Sequence, residues 1–214
     1  MVGRLFGTTG IRGIANEFLT PEFASKISCV FGNYIMKTCD NKRPKIIVGR
    51  DTRTSSEMLM YGVISGLLSA GCDVYNSNIL PTPAIQYVIR KLKFDGGVII
   101  TGSHIPPERN GIKFFIQDSN EVYGEIEKEI EDMYFSERFE RAKWNEIGEV
   151  KKINGIEVYE EMLLQEGLKV DEKDQLKIVV DTAHGAQSEV IPRVLRKLNH
   201  KVITLNAQMD GFFP

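Results

Sequence analysis

Cysteine is scarce in this chain, and the little there is carries no pattern. Cys29, Cys39 and Cys72 are three in number with no CxxC pair, which argues against a disulfide framework and a structural zinc site and leaves reduced core thiols as the reading. Histidine is as sparse: His104, His184 and His200 show no spacing suited to a metal triad, and His184 and His200 read as structural. Long apolar runs are missing: the uncharged stretch Met58 to Cys72 is too short for a membrane span and contains two Ser and three Gly. Gly62 and Gly66 within it are expected to let a neighbouring element approach closely. The sequence opens on glycine-rich residues with Arg4 and Arg12 and has no apolar leader, so a cytoplasmic protein is expected. Charge of one sign is also lacking: 27 Lys and Arg against 29 Asp and Glu leave a formal charge of −2. Neither a nucleic-acid nor a membrane partner is expected, and any anion must be held locally. The G-x-x-x-x-G-K-[ST], G-x-G-x-x-G and G-x-S-x-G patterns are absent, which leaves nucleotide binding and serine acyl hydrolysis without support.

What is present is a globular composition: 214 residues, 42% hydrophobic and 26% charged. A folded chain of this mass exposes about 10,000 Å² against about 35,000 Å² unfolded, enough burial for one large domain or two small ones. Apolar runs of strand length (Lys45–Val48, Asp73–Tyr75, Gly97–Thr101, Ile112–Ile116, Lys177–Val180, Lys201–Leu205) alternate with segments of helical period, which is the pattern of an α/β protein with a largely parallel or mixed sheet. Thr20-Pro21 predicts a helix start, Ser55-Ser56-Glu57 predicts another running to a Gly71 cap, and further helices are expected over Ala84–Leu92, Tyr123–Phe135, Val158–Glu166 and Ser188–Leu198. Between Glu137 and Lys152 nine of sixteen residues are charged around Trp144, which reads as an exposed connection between a domain over 1–148 and a second over 149–214. Only two clear strands follow it, too few to close a stable sheet.

Three segments can carry chemistry. In Gly7-Thr8-Thr9-Gly10-Ile11-Arg12-Gly13, backbone N–H groups, the hydroxyl of Thr9 and the guanidinium of Arg12 could converge on an oxyanion; the alternative is a hairpin with Arg12 in solvent. Gly49-Arg50-Asp51-Thr52-Arg53-Thr54 lies between a strand and a helix, where Arg50 and Arg53 could hold phosphate or, alternatively, an Arg–Asp pair orders the loop. Thr101-Gly102-Ser103-His104-Ile105-Pro106-Pro107, followed by Asn110-Gly111-Ile112-Lys113, places a hydroxyl at a strand end. Ser103 needs assistance to react, and His104 and Lys113 are the nearby candidates; the alternative is an ordinary strand-to-loop turn.

Taken together, these segments resemble the α-D-phosphohexomutase family, the phosphoglucomutase and phosphomannomutase group, and in particular its archaeal-like members. Phe6 to Gly13 is similar to FGTxGIRG, Gly49 to Arg53 to GRDTR, Thr101 to Pro106 with Asn110 to Lys113 to TASHNP followed by NGIK, Val179 to Gly185 to VVDxANGAG, and Asp210 to Pro214 to DGxFP. The resemblance implies three-layer α/β/α domains with mixed, largely parallel sheets: domain I complete and part of domain II. It implies a phosphoserine at Ser103 that donates its phosphoryl group to a hexose monophosphate, passes through a hexose bisphosphate, and recovers the other phosphate. Arg12 would face the phosphoserine, His104 and Lys113 would be acid/base groups, Thr9, Arg50, Arg53 and Asn110 would bind substrate phosphate, and Mg²⁺ would be bound through Ser103.

The sequence departs from the family's pattern in several places. Gly102 and Ile105 replace Ala and Asn of TASHNP, His184 stands where the family has Asn, and Gln187 where it has Gly. The aspartate-rich DGDxDR metal loop, the GExS sugar-reading loop and the C-terminal phosphate loop are absent. The expectation is therefore the N-terminal half of a phosphohexomutase, a fragment or a short gene product, with little turnover alone. The alternative is a non-catalytic binding or regulatory module of the same fold. In either case a homodimer, or association with a chain supplying the C-terminal half, is expected.

Overall fold

The structure is a computed structural model that describes residues 5–40 and 43–213; Arg4 and Pro214, named above, lie outside the described residues. The protein has an α/β fold whose main sheet has six strands. They are β1 (Ile11–Ile14), β2 (Lys45–Arg50), β3 (Asp73–Ile79), β4 (Gly96–Ile100), β5 (Arg109–Ile116) and β6 (Val150–Lys152), in the order β1-β5-β4-β2-β3-β6. β4, β2, β3 and β6 run parallel, and β5 lies antiparallel between β4 and β1.

Alternation along the central strands feeds two cores. Ile46, Val48, Val98, Ile100, Ile112 and Phe114 pack on one face, while Ile47, Ile99 and Phe115 pack on the other, as the two-residue period of a strand requires. On the first face lie α1 (Pro21–Thr38), α2 (Ser56–Ser69) and α4 (Glu125–Phe135); on the second lie α3 (Thr82–Leu92) and α5 (Gly155–Glu166). The expected cap of α1 is present, with Thr20 Oγ1 accepting from Phe23 N–H at 3.2 Å. Gly71 closes α2 as expected: it sits at φ +93° and donates to Leu68 O while Cys72 donates to Leu67 O, the paired bonds of a glycine-terminated helix. Gly66 lets α2 rest on α1, because a Cβ there would collide with the Ser25 carbonyl. Cys29 and Cys72 are free and buried, and burial pushes the Cys72 thiol up to about 12.

Several boundaries differ from the sequence reading. Residues 11–14, read as a loop or hairpin, form the edge strand β1, anchored by the fully buried Ile11. The charged connection contains β6, which joins β3 although all three of its residues are exposed. Asp73 explains the docking: its carboxylate accepts from Glu149 N–H and Lys151 Nζ and pairs with Arg43. Ser55 does not cap α2 through its side chain; its hydroxyl instead accepts from Asn110 Nδ2.

Beyond the main sheet, β7 (Lys177–Asp181) and β8 (Lys201–Leu205) form a parallel pair joined by α6 (Val190–Lys197). Val190 and Val194 of α6 and Ile156 and Tyr159 of α5 belong to the same apolar cluster as Ile85 and Val88 of α3, so the second region shares a core with the first. Its outer sheet face is open, with Val179 59%, Ile203 45% and Leu205 48% exposed. Among the described residues, no helix is long and apolar enough to cross a membrane.

Candidate functional site

β2 and β4 are parallel neighbours, so their carboxyl ends, Arg50 and Ile100, lie side by side and their loops leave the sheet at one edge, where open α/β sheets place ligands. Asp51 ties the two loops together. One carboxylate oxygen accepts from Arg53 N–H and from the Ser56 hydroxyl, and the other accepts from Arg53 Nε and from Gly102 N–H.

From this base Ser103 projects into solvent. Its backbone lies in the left-handed region at φ +56°, its N–H donates to Thr101 Oγ1 at 2.9 Å, and its side chain is exposed. A left-handed serine costs about 1–2 kcal/mol, and the surrounding loop bonds hold it there. His104 is exposed beside it, with Nδ1 3.4 Å from Ser103 Oγ. The pair thus offers a hydroxyl and an imidazole on a short turn that runs into Pro106 and Pro107, the arrangement expected of an assisted nucleophile or group carrier.

Arg53 and Asn110 are placed differently from the expectation that they bind phosphate. Arg53 is 3% exposed, and its five N–H donors all go to protein: Asp51, Pro106 O, Arg109 O, Ser103 O and Ile105 O. Asn110 is fully buried; its Nδ2 donates to the Ser55 and Ser56 hydroxyls and its Oδ1 accepts from Gly111 N–H. Both side chains are committed to the loops they hold. Arg50 is less committed: Nε donates to Asn78 Oδ1 and Nη1 to Asp51 O, while Nη2 stands 3.9 Å from Glu57.

The glycine-rich opening runs into β1, which pairs with β5. Arg12 is paired with Gly111 in register and donates to Thr9 Oγ1 at 2.9 Å and Thr9 O at 3.3 Å. Lys113 is two residues along β5 from Gly111, hence on the face Arg12 shares, and its Nζ pairs with Glu121 at 3.0 Å. Glu121 is a residue that sequence reading missed. It follows β5 in an uninformative polar run, and its Oε1 is buried without a hydrogen bond.

The second region touches this site. Thr52 Oγ1 donates to His184 O at 2.7 Å, and the Phe213 ring lies 4.9 Å from the Arg53 guanidinium carbon. A cavity of about 220 Å³ opens between the regions, bordered by Asp51, Thr52, Thr101, Ser103, Gln187 and Phe213 among others. His184, expected to be structural, holds the 206–210 segment through Asn206 O, Gln208 O and Asp210. Asp181 stabilises the adjoining turn by accepting from Ala183 N–H and Asn206 Nδ2, which hold its carboxyl below the usual range.

The residues present do not make up a magnesium site. Mg²⁺ takes six oxygens in near-octahedral geometry, whereas Ser103 offers one and Asp51 spends both of its carboxylate oxygens on Arg53, Ser56 and Gly102. Among the described residues, no group of three or more His, Cys, Asp or Glu is placed to hold a metal.

Comparison with known proteins adds the following. The phosphoglucomutase/phosphomannomutase alpha/beta/alpha domain I profile matches residues 3–141, and the corresponding domain II profile matches residues 157–214. The chain is 49% identical over 214 residues to a phosphoglucomutase/phosphomannomutase of Thermococcus kodakarensis, covering 100% of this chain and 47% of that protein. It is 44% identical over 211 residues to a phosphopentomutase of the same organism, covering 99% and 44%. Its structure matches that of a phosphoglucomutase/phosphomannomutase family protein from Burkholderia thailandensis with a TM-score of 0.87 at 26% identity, covering 100% of this chain and 46% of that one. The chain spans about half the length of the curated relatives it matches.

Proposed function

Because the chain belongs to the phosphoglucomutase/phosphomannomutase family, a family of sugar-phosphate mutases, we propose that it carries the phosphoryl-carrier half of a phosphohexomutase, with Ser103 Oγ as the atom that is phosphorylated. The observation that supports this reading is the exposed Ser103 hydroxyl at the carboxyl edge of the sheet, on a loop clamped by Asp51 and Arg53, with His104 Nδ1 at 3.4 Å.

In the donating half-reaction the bond between phosphorus and Ser103 Oγ breaks as phosphorus bonds to a hydroxyl oxygen of a hexose monophosphate. The hydroxyl proton passes to a base, and Oγ takes up a proton. In the returning half-reaction Oγ loses its proton to a base and bonds to the phosphorus of the other phosphoryl group as that phosphorus parts from its sugar oxygen, which takes up a proton and leaves as the hydroxyl of the isomeric monophosphate. Such transfer depends on positioning and on neutralising charge. His104 is the base nearest Oγ by geometry, with Lys113 as the other acid/base candidate. Arg12, braced by Thr9, would face the phosphoryl charge, and Arg50 would meet the substrate's phosphate. No step is assigned to Mg²⁺. Relatives are named for glucose, mannose, glucosamine and pentose phosphates, so the hexose is the finer part of the proposal.

Incubation with a hexose 1,6-bisphosphate and Mg²⁺ tests it. One equivalent of hexose monophosphate released per chain, followed by phosphorus NMR, is the expected result; no release beyond that of a Ser103→Ala control would sink the reading.

A second reading, a binding module of the same fold, is favoured by the open β7–β8 face with Val179, Ile203 and Leu205 exposed. The occupant that fits is the remaining half of the relatives' length, supplied on the same polypeptide or by a separate chain. Sedimentation of the protein with and without a C-terminal-half polypeptide tests this. A monomer in both cases would contradict it, and self-association alone would assign the face to a second copy.

A further inference from the structure

The Arg53 guanidinium receives two kinds of contact that no substrate role explains. From one side, four carbonyl oxygens of the loop that carries Ser103 turn inward onto it: Ser103 and Ile105 on Nη2 at 3.1 and 2.7 Å, Pro106 and Arg109 on Nη1 at 2.8 and 3.1 Å. From the other side, the Phe213 ring of the second region stacks 4.9 Å from its central carbon. The approach is close enough that an Ala side chain at Gly102 would collide with the guanidinium. Charge-assisted bonds to carbonyls are about twice as strong as neutral ones, and a planar, five-donor fork can gather several acceptors at fixed angles where an ammonium cannot. Drawing the carbonyls inward fixes the backbone of Ser103 in its left-handed conformation and leaves its side chain facing solvent.

The segment holding Phe213 is itself seated on the same loop. Gly211 lies against Thr52 O and Thr54 N so closely that a Cβ would come within 2.7 and 2.8 Å of them. Asp210 accepts from Phe212 N–H and pairs with His184, whose carbonyl accepts from Thr52. A displacement of residues 210–213 is therefore felt first at Thr52 and Arg53, and through Arg53 at Ser103.

We infer that Arg53 is the positioning residue of the Ser103 loop and that the second region sets its position through Phe213, so that an ordered 210–213 segment is a condition for a correctly placed Ser103. The functional side of this inference rests on Ser103 being the phosphoryl carrier; the structural side does not.

The test is hydrogen–deuterium exchange of peptides spanning residues 101–109, together with the rate at which Ser103 gains phosphate from a hexose 1,6-bisphosphate. Phe213→Ala leaves every hydrogen bond of the loop in place. It should nevertheless speed exchange at Gly102, Ser103, Ile105 and Arg109, whose N–H groups are hydrogen-bonded, and slow phosphorylation about tenfold, the size of a lost cation–π contact. Arg53→Lys should speed exchange further and slow phosphorylation about a hundredfold, as a misplacement near 1 Å does. Exchange in α1 peptides reports whether each variant is folded, and if the lysine variant fails there, Phe213→Ala decides alone. Unchanged exchange over 101–109 in Phe213→Ala overturns the inference, and so does faster exchange with an unchanged transfer rate, which would make the contact structural only. A parent protein that gains no phosphate on Ser103 sinks the carrier reading instead, and the exchange comparison then decides the inference by itself.

Discussion

The two regions of this chain are built to different degrees of completeness. The six-stranded sheet carries helices on both faces, and its central strand β4 is buried at every position. The β7–β8 pair has α6 on one face and leaves Val179, Ile203 and Leu205 to solvent on the other. The chemistry-bearing loops all leave the complete sheet, whereas the smaller region supplies contacts: the His184 carbonyl on Thr52 and the Phe213 ring on Arg53. A group that must be held to fractions of an ångström sits on the rigid scaffold. The less supported region is left to adjust that scaffold from outside.

The largest test of this contrast is functional. Ser103→Ala should abolish phosphate uptake completely while shifting the melting temperature by no more than about 2 °C, since exposed substitutions outside special contacts change stability little. Uptake at another serine in that variant would move the carrier elsewhere. The next effect is on stability. Phe114→Ala, in the centre of the complete sheet, should cost about 3–5 kcal/mol in chemical denaturation, whereas Ile203→Ala on the open face should stay near 1 kcal/mol or below. Equal losses would show the open face to be covered in solution.

A smaller effect follows from two carboxylates, one in each region. Burial opposes the ionised form of both Asp73 and Glu160, but the Glu149 amide and Lys151 around Asp73, and Lys197 and Arg193 around Glu160, outweigh it and hold both carboxyls below their usual values. The stabilisation they provide is present above the unfolded carboxyl range, near pH 4, and is lost as pH falls through the lowered native values. Asp73→Asn should flatten the acid limb of a melting-temperature profile and release β6 from β3; a limb of unchanged steepness would contradict that role. The smallest effect is expected at Glu121→Gln. Losing a partly exposed pair with Lys113 costs about 0.2–1 kcal/mol and should raise the reactivity of Lys113 toward an acylating reagent, read by peptide mass spectrometry; unchanged reactivity would remove Glu121 from the site.

Much of the fold was legible because strand and helix periods in this sequence agree with their caps: Thr20 and Gly71 mark the ends of α1 and α2 where they were read. β1 was hidden by its glycines, and β6 by its charge, since three exposed residues held through Asp73 leave no apolar signal. Ser103, His104 and the Asp51 loop could be placed at one sheet edge because strand ends are readable. The roles of Arg53 and Asn110 could not be, because whether a polar side chain faces a ligand or its own loop depends on acceptors that folding brings from far along the chain. Phe213 reaches Arg53 across a sequence distance that no local pattern spans.

The measurement that bears most directly on the account is peptide-resolved mass spectrometry of the protein before and after incubation with a hexose 1,6-bisphosphate and Mg²⁺. The account predicts phosphate on Ser103 approaching one per chain. An unmodified Ser103 in a folded protein would contradict it and leave the loop as a binding element.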